Sequence, residues 1–134
     1  MLTDILRSAV GAIGFMVLDG VWLGLVMSSY YRSQLASIAR LTPDSSSFAP
    51  NWSSALVVYA CLGIGIATFV VPRATGWLSA AAYGAALGFV VYGVYDFTNH
   101  STLKDYPLSL AFVDLSWGIA ATAICSMFVW SVFR

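Results

Sequence analysis

Charge is what this chain lacks. Only 9% of its 134 residues are charged, against roughly 25% in a soluble domain. Glutamate is absent, so every acidic residue is an aspartate. The formal net charge is zero and no run of Lys or Arg exists that could track phosphates, which excludes nucleic acid as a partner. Cysteine is scarce as well. Cys61 and Cys125 lie in apolar stretches at different depths, which argues against a disulfide; each reads as a small buried hydrophobe. There is one histidine, His100. No G-x-S-x-G, H-E-x-x-H, P-loop or C-x-x-C motif occurs, so nothing announces an enzyme, a cofactor or a metal.

What the chain has is apolar length. It is 60% hydrophobic, with a mean hydropathy of +0.83. A soluble fold of this size has too little interior to hide that surface, so lipid must cover it. Four segments, 8–31, 52–72, 74–95 and 106–133, are long enough to cross about 30 Å of hydrocarbon. The first is too long for a cleaved signal sequence, lacks a small-residue cleavage site and carries Asp19 in its middle, so it reads as a retained span. The expected fold is an all-α integral membrane protein: one domain over 1–134, a four-transmembrane-helix antiparallel bundle with both termini on one side. Helices are expected over about 5–33, 52–73, 76–99 and 106–133, with an interfacial helical extension over about 31–41 and a polar loop over 42–51. "PRAT" is a very short turn, making helices two and three a hairpin. Arg7, Arg73 and Arg134 on the terminus side balance Arg32, Arg40 and Lys104 on the loop side, so cation bias sets no orientation. Trp52, Tyr30, Tyr31, Tyr106, Trp77 and Trp130 lie near span ends, as an aromatic belt does. Ala80, Gly84 and Gly88, and separately Gly20 and Gly24, repeat at four residues and suit close helix packing.

Two acids lie inside spans. Asp19 and Asp114 each cost about 2.5–3.5 kcal/mol at a helix centre, so they are expected to point inward and have partners. "DGVWLG" and "DLSWG" both read D-x-x-W followed by Gly, and a three-residue offset places Asp and Trp on one helix face. At 1.5 Å per residue Asp19 lies about 18 Å below the loop side and Trp117 about 16 Å; Asp114 lies about 12 Å deep and Trp22 about 14 Å. A cross-pair is expected, each carboxylate accepting the indole N–H of the facing helix. This either fixes the packing or forms a site that binds or protonates something entering from the loop side.

The densest polar stretch, "YDFTNHSTLKDYPL", falls between the third and fourth spans. Asn99 is expected to cap helix three, with Lys104 meeting its last carbonyls and Asp105 capping helix four. Asp96 is misplaced at a helix C-terminus and is expected to need a cation: Arg32, Arg40, Lys104 or a ligand. His100 is expected to be a plain loop residue. The candidate binding site is Asp19, Trp22, Asp96, Asn99, Asp114 and Trp117, beneath a loop-side lid of Arg32, Thr98, Thr102 and Lys104. The oxygens of Asp19, Asp96, Asp114 and Asn99 suit a hard cation rather than zinc, but no spacing rule supports a metal site.

"LDGVWLG" with "YYR", then "APNW", "YDFTNHSTLKDYPL" and "VDLSWG" resemble a family of small bacterial predicted membrane proteins catalogued as domain of unknown function twenty-one seventy-seven. The resemblance covers nearly the whole chain. The family pattern has Leu-Ala where this chain has His100 and Ser101, and Trp where it has Tyr106. The resemblance implies a four-span protein of the bacterial inner membrane. Three functions are compatible with the residues: binding or permeation of a proton, cation or cationic headgroup at an Asp-lined site; an embedded enzyme acting on lipid or isoprenoid chains; or an accessory subunit of a larger membrane complex. The partners expected are the lipid bilayer and either a second copy or a larger complex.

Overall fold

The computed structural model describes all 134 residues. The chain is entirely helical apart from its connections. α1 runs Leu2–Val21 and continues as a π-helical stretch, Trp22–Val26; α2 is Ser28–Gln34; α3 is Trp52–Gly65 with a second π-helical stretch, Ile66–Val70; α4 is Trp77–Thr102; α5 is Leu108–Val132. Four of these helices are long and apolar enough to cross a membrane: Leu2–Val26, Trp52–Val70, Trp77–Thr102 and Leu108–Val132. Only 24 of 134 residues are buried, so the bundle's interior accounts for little of its apolar content. The rest, including Ile13, Val17, Leu56, Phe89, Val90, Phe112 and Phe128, faces outward, as lipid-facing surfaces do.

Helix starts follow local chemistry. The Asn51 side chain accepts the Ser54 N–H at 3.3 Å and begins α3, satisfying an orphan donor of the first turn. Ser79 Oγ accepts the Gly76 N–H at 2.9 Å and begins α4. Asp105 does not cap α5, which instead follows Pro107 directly; a proline there has no N–H to leave unsatisfied. The interfacial extension stops at Gln34, well short of residue 41. Beyond it the chain turns into a small hairpin closed by an isolated bridge between Leu41 and Phe48. α4 runs on to Thr102, so Asn99 and His100 lie within a helix rather than at a cap and in a loop.

The helices pair α1 with α3 and α4 with α5. α3 and α4 are joined by the expected short turn but meet mainly at its end, through Ile66–Val70. Glycines set both tight pairs. A Cβ on Gly63 would collide with the Ser8 carbonyl oxygen of α1, and one on Gly88 would lie 2.5 Å from the Gly118 carbonyl oxygen of α5. A ring of Tyr92 fills the space a side chain on Gly118 would need. Gly20 and Gly24 depart from expectation: a Cβ at either would meet nothing within 4 Å, so this pair does not pack a helix.

The interior has two parts. Toward the termini Phe15, Leu62, Ile66, Val70, Ala121, Cys125 and Val129 form an apolar core. Toward the loops Tyr31, Tyr106, Leu110 and Ala111 form a second cluster, with Phe48 of the hairpin against it. Both cysteines are free; Cys125 is buried, but Cys61 is exposed on the outer face.

Candidate functional site

The break after α1 creates the site. In an unbroken α-helix nine residues turn the chain through about 900°, so Trp22 and Tyr31 would project from opposite faces. Here the Met27 N–H bonds to the Trp22 carbonyl at 2.7 Å, five residues back, and Met27 leaves helical geometry at φ −116°, ψ 12°. The wider turns and the break rephase α2. As a result the Trp22 indole N–H donates to the Tyr31 hydroxyl at 3.2 Å, and that hydroxyl donates to Asp114 Oδ1 at 2.6 Å.

Asp19 receives the Trp117 indole N–H directly, at 2.8 Å, and the Tyr59 hydroxyl lies within reach of the same carboxylate. The two indoles stack with centroids 4.4 Å apart and planes within 2°. The facing helices thus meet in the expected register, with one correction. Trp22 does not reach Asp114 itself; Tyr31 stands between them because the rephased α2 carries its hydroxyl into that position.

Asp96 is also corrected. It is fully buried, its partner is the Tyr106 hydroxyl at 2.6 Å rather than a cation, and its side chain lies against that of Asp114. Register explains why. Asp96 lies six residues before the end of α4 and Asp114 six residues after the start of α5, so both sit about 9 Å into their helices. Its other oxygen, Oδ2, has no hydrogen-bond partner. The chain's only ion pairs are at Asp4, with Arg7 and the N-terminus; the three interior carboxylates are held by phenol and indole donors alone.

Tyr31 and Tyr106 are 5% and 6% exposed, so they belong to the interior and not to an aromatic belt. Burial, the Asp114 charge and the bond to Asp114 push the Tyr31 hydroxyl far above its ordinary value. Burial and then the bond to Asp96 do the same at Tyr106. Both phenols therefore remain proton donors. His100 Nδ1 lies 2.9 Å from the Tyr106 carbonyl oxygen and ties the α4–α5 connection to the end of α4.

A cavity of about 620 Å³ reaches this network. Asp19, Asp114, Tyr31 and Tyr106 form its polar wall. Trp52 and Tyr59 of α3, Tyr95 of α4, and Met16 and Leu23 of the first span form the apolar side. Ser47, Phe48 and Pro50 of the hairpin roof it, with Arg40 at the rim. Gly20 and Gly24 line it as well, which explains their small size: a side chain there would project into open space.

The expected lid does not cover the cavity. Thr98 is exposed, and the Thr102 hydroxyl donates back to the Thr98 carbonyl at 2.8 Å. Lys104 borders a separate shallow depression with Ser37 and Asp105. The Arg32 guanidinium donates to the Ser28 hydroxyl, and neither Arg32 nor Asn99 lines the cavity. The covering element is the 40–50 hairpin, where the sequence pattern alone predicts a polar loop. Phe48, an aromatic inside "TPDSSSFAPN", was its one available signal. No three His, Cys, Asp or Glu side chains converge as metal ligands do.

No curated protein and no solved structure matches this chain. A family model does, over residues 5–131. With almost every residue of the bundle inside that match, the chain belongs to the membrane-protein family described as "Predicted membrane protein (DUF2177)".

Proposed function

We propose that the protein is an inner-membrane binding module whose cavity takes the cationic headgroup of an amphipathic molecule, an organic cation on an apolar body. One observation carries this reading: an apolar-walled cavity of about 620 Å³ ends on Asp19 and Asp114, neither of which is paired with a cation. Carboxylates inside a span are costly and are retained where they meet a partner or a pathway. Phenol and indole donors offset part of that cost; an entering cation supplies the rest. The rings of Trp52, Tyr59 and Tyr95 on the cavity wall favour an organic cation, since aromatic faces attract one and pack its apolar part. The helical build of all four spans supports the inner membrane, because outer-membrane proteins span as barrels.

The test uses tetraphenylphosphonium as the probe, with the purified protein in lipid nanodiscs and tryptophan quenching as the readout. Saturable binding is expected, weakened at least ~10-fold, or about 1.4 kcal/mol, by Asp19→Asn or Asp114→Asn. Equal binding by the wild type and both variants would remove the proposal.

A further inference from the structure

The geometry points to a proton held between Asp96 and Asp114 that exchanges for the cation entering the cavity. This rests on the proposed reading of the cavity and assigns Asp96, which does not line it, a role there. Asp96 is 0% exposed. Its Oδ1 accepts the Tyr106 hydroxyl, while Oδ2 has no donor and lies on the side chain that faces Asp114. A buried carboxyl oxygen without a donor is rare and needs an explanation. The hydrogen available there is an acid proton: with Oδ2 protonated, Asp96 donates to Asp114 and the pair is satisfied. Two ionised carboxylates side by side would repel at close range, and acid pairs so placed titrate as one unit.

The surroundings of the pair hold one further acid and several phenols. Asp19 faces the pair from α1, Tyr31 from α2, and Tyr92 and Tyr95 from α4, while Tyr59 of α3 faces Asp19. Tyr106 faces it from the α4–α5 connection, with His100 behind its carbonyl. Arg40, at the rim, is the one cation of the cavity wall. α5 contributes Asp114 itself.

A proton on Asp96 neutralises its carboxylate and so removes negative charge that would attract a cation to Asp114, a strong effect in a medium of low dielectric. Binding the first lowers the affinity for the second, and linkage makes the effect reciprocal. In the exchange the Asp96 O–H bond breaks and the proton leaves through the cavity to bulk water. The cation takes its place, and the charge of the pair with its guest stays the same. Asp96 is thus a proton-holding partner and not a ligand.

The experiment measures tetraphenylphosphonium affinity against pH for the wild type and Asp96→Asn. Asparagine accepts from Tyr106 and donates to Asp114, so it mimics the protonated acid and keeps the fold. The wild type is expected to gain up to ~10-fold in affinity per pH unit as the shared proton is removed. Asp96→Asn should bind the cation with that slope abolished. Binding with the same slope in both proteins, or without any slope in the wild type, overturns the exchange while leaving the cavity's cation site standing. Absence of binding by the wild type overturns both. An infrared spectrum tests the proton without any ligand: a protonated-carboxyl C=O band lost in Asp96→Asn supports the pair, and an unchanged spectrum overturns it.

Discussion

The two ends of this bundle use glycine for opposite purposes. Toward the termini Gly63 lets the α1 backbone approach until no Cβ fits, and the surrounding interior is apolar and close-packed. Toward the loops Gly20 and Gly24 face a space where an added Cβ would meet nothing within 4 Å. The same residue type closes one half and opens the other. The closed half leaves no room for a side chain at Gly63, and under the proposed function the open half keeps expensive carboxylates within reach of a guest.

Four measurements would break or sharpen that contrast. The largest effect is expected from Gly63→Ala, whose new methyl group collides with backbone rather than with a movable side chain. Overpacking of this kind costs about 1–3 kcal/mol or more, and thermal unfolding in nanodiscs should show it. Survival of Gly63→Ala at wild-type stability would remove the distinction between the halves. Next comes Tyr106→Phe, which takes from Asp96 its only hydroxyl donor and should cost about 1–3 kcal/mol in the same assay. A smaller effect of opposite sign is expected at Gly20→Ala. Relieving a helical glycine where space is free should stabilise by about 0.4–1 kcal/mol, while Gly20→Leu should leave folding intact and block the probe. Stable Gly20→Leu protein that still binds tetraphenylphosphonium normally would place the guest elsewhere.

The smallest effect concerns the hairpin roof. Thr42 and Ser46 donate to Asp44, holding its carboxyl down from 3.8 to about 2. A lowered folded value means the carboxylate's contribution is complete above 3.8 and is lost as pH falls through about 2. Asp44 is fully exposed, so only the local order of the turn should respond. Amide shifts at Ser46 should titrate in that window and vanish as a titration in Asp44→Asn. An unchanged profile would mean that the turn is held by its backbone bonds alone.

Much of this was legible in the residues. Apolar run lengths give the spans, and a depth count from span ends sets Asp19 level with Trp117. The count failed where a helix end was misplaced. Ending the third helix near Asn99 puts Asp96 at the membrane surface, whereas its true end at Thr102 puts it beside Asp114. Spacing also fails to say what lies opposite a face, which is why the two sets of glycines read alike. The π-helical stretch at Trp22–Val26 leaves no periodic mark in "WLGLV", so nothing in the sequence turned Tyr31 inward. The hairpin roof was hidden for a similar reason, because its closure depends on Phe48 meeting residues distant in the chain.

Trp22 and Trp117 come from the first and last spans and stack with nearly parallel ring planes at 4.4 Å. Two chromophores that close share their electronic excitation, so the molecule carries an optical gauge at its centre. Any guest that slides the outer helices past each other by a fraction of a turn would detune that coupling, and near-ultraviolet circular dichroism would register the movement without an added label.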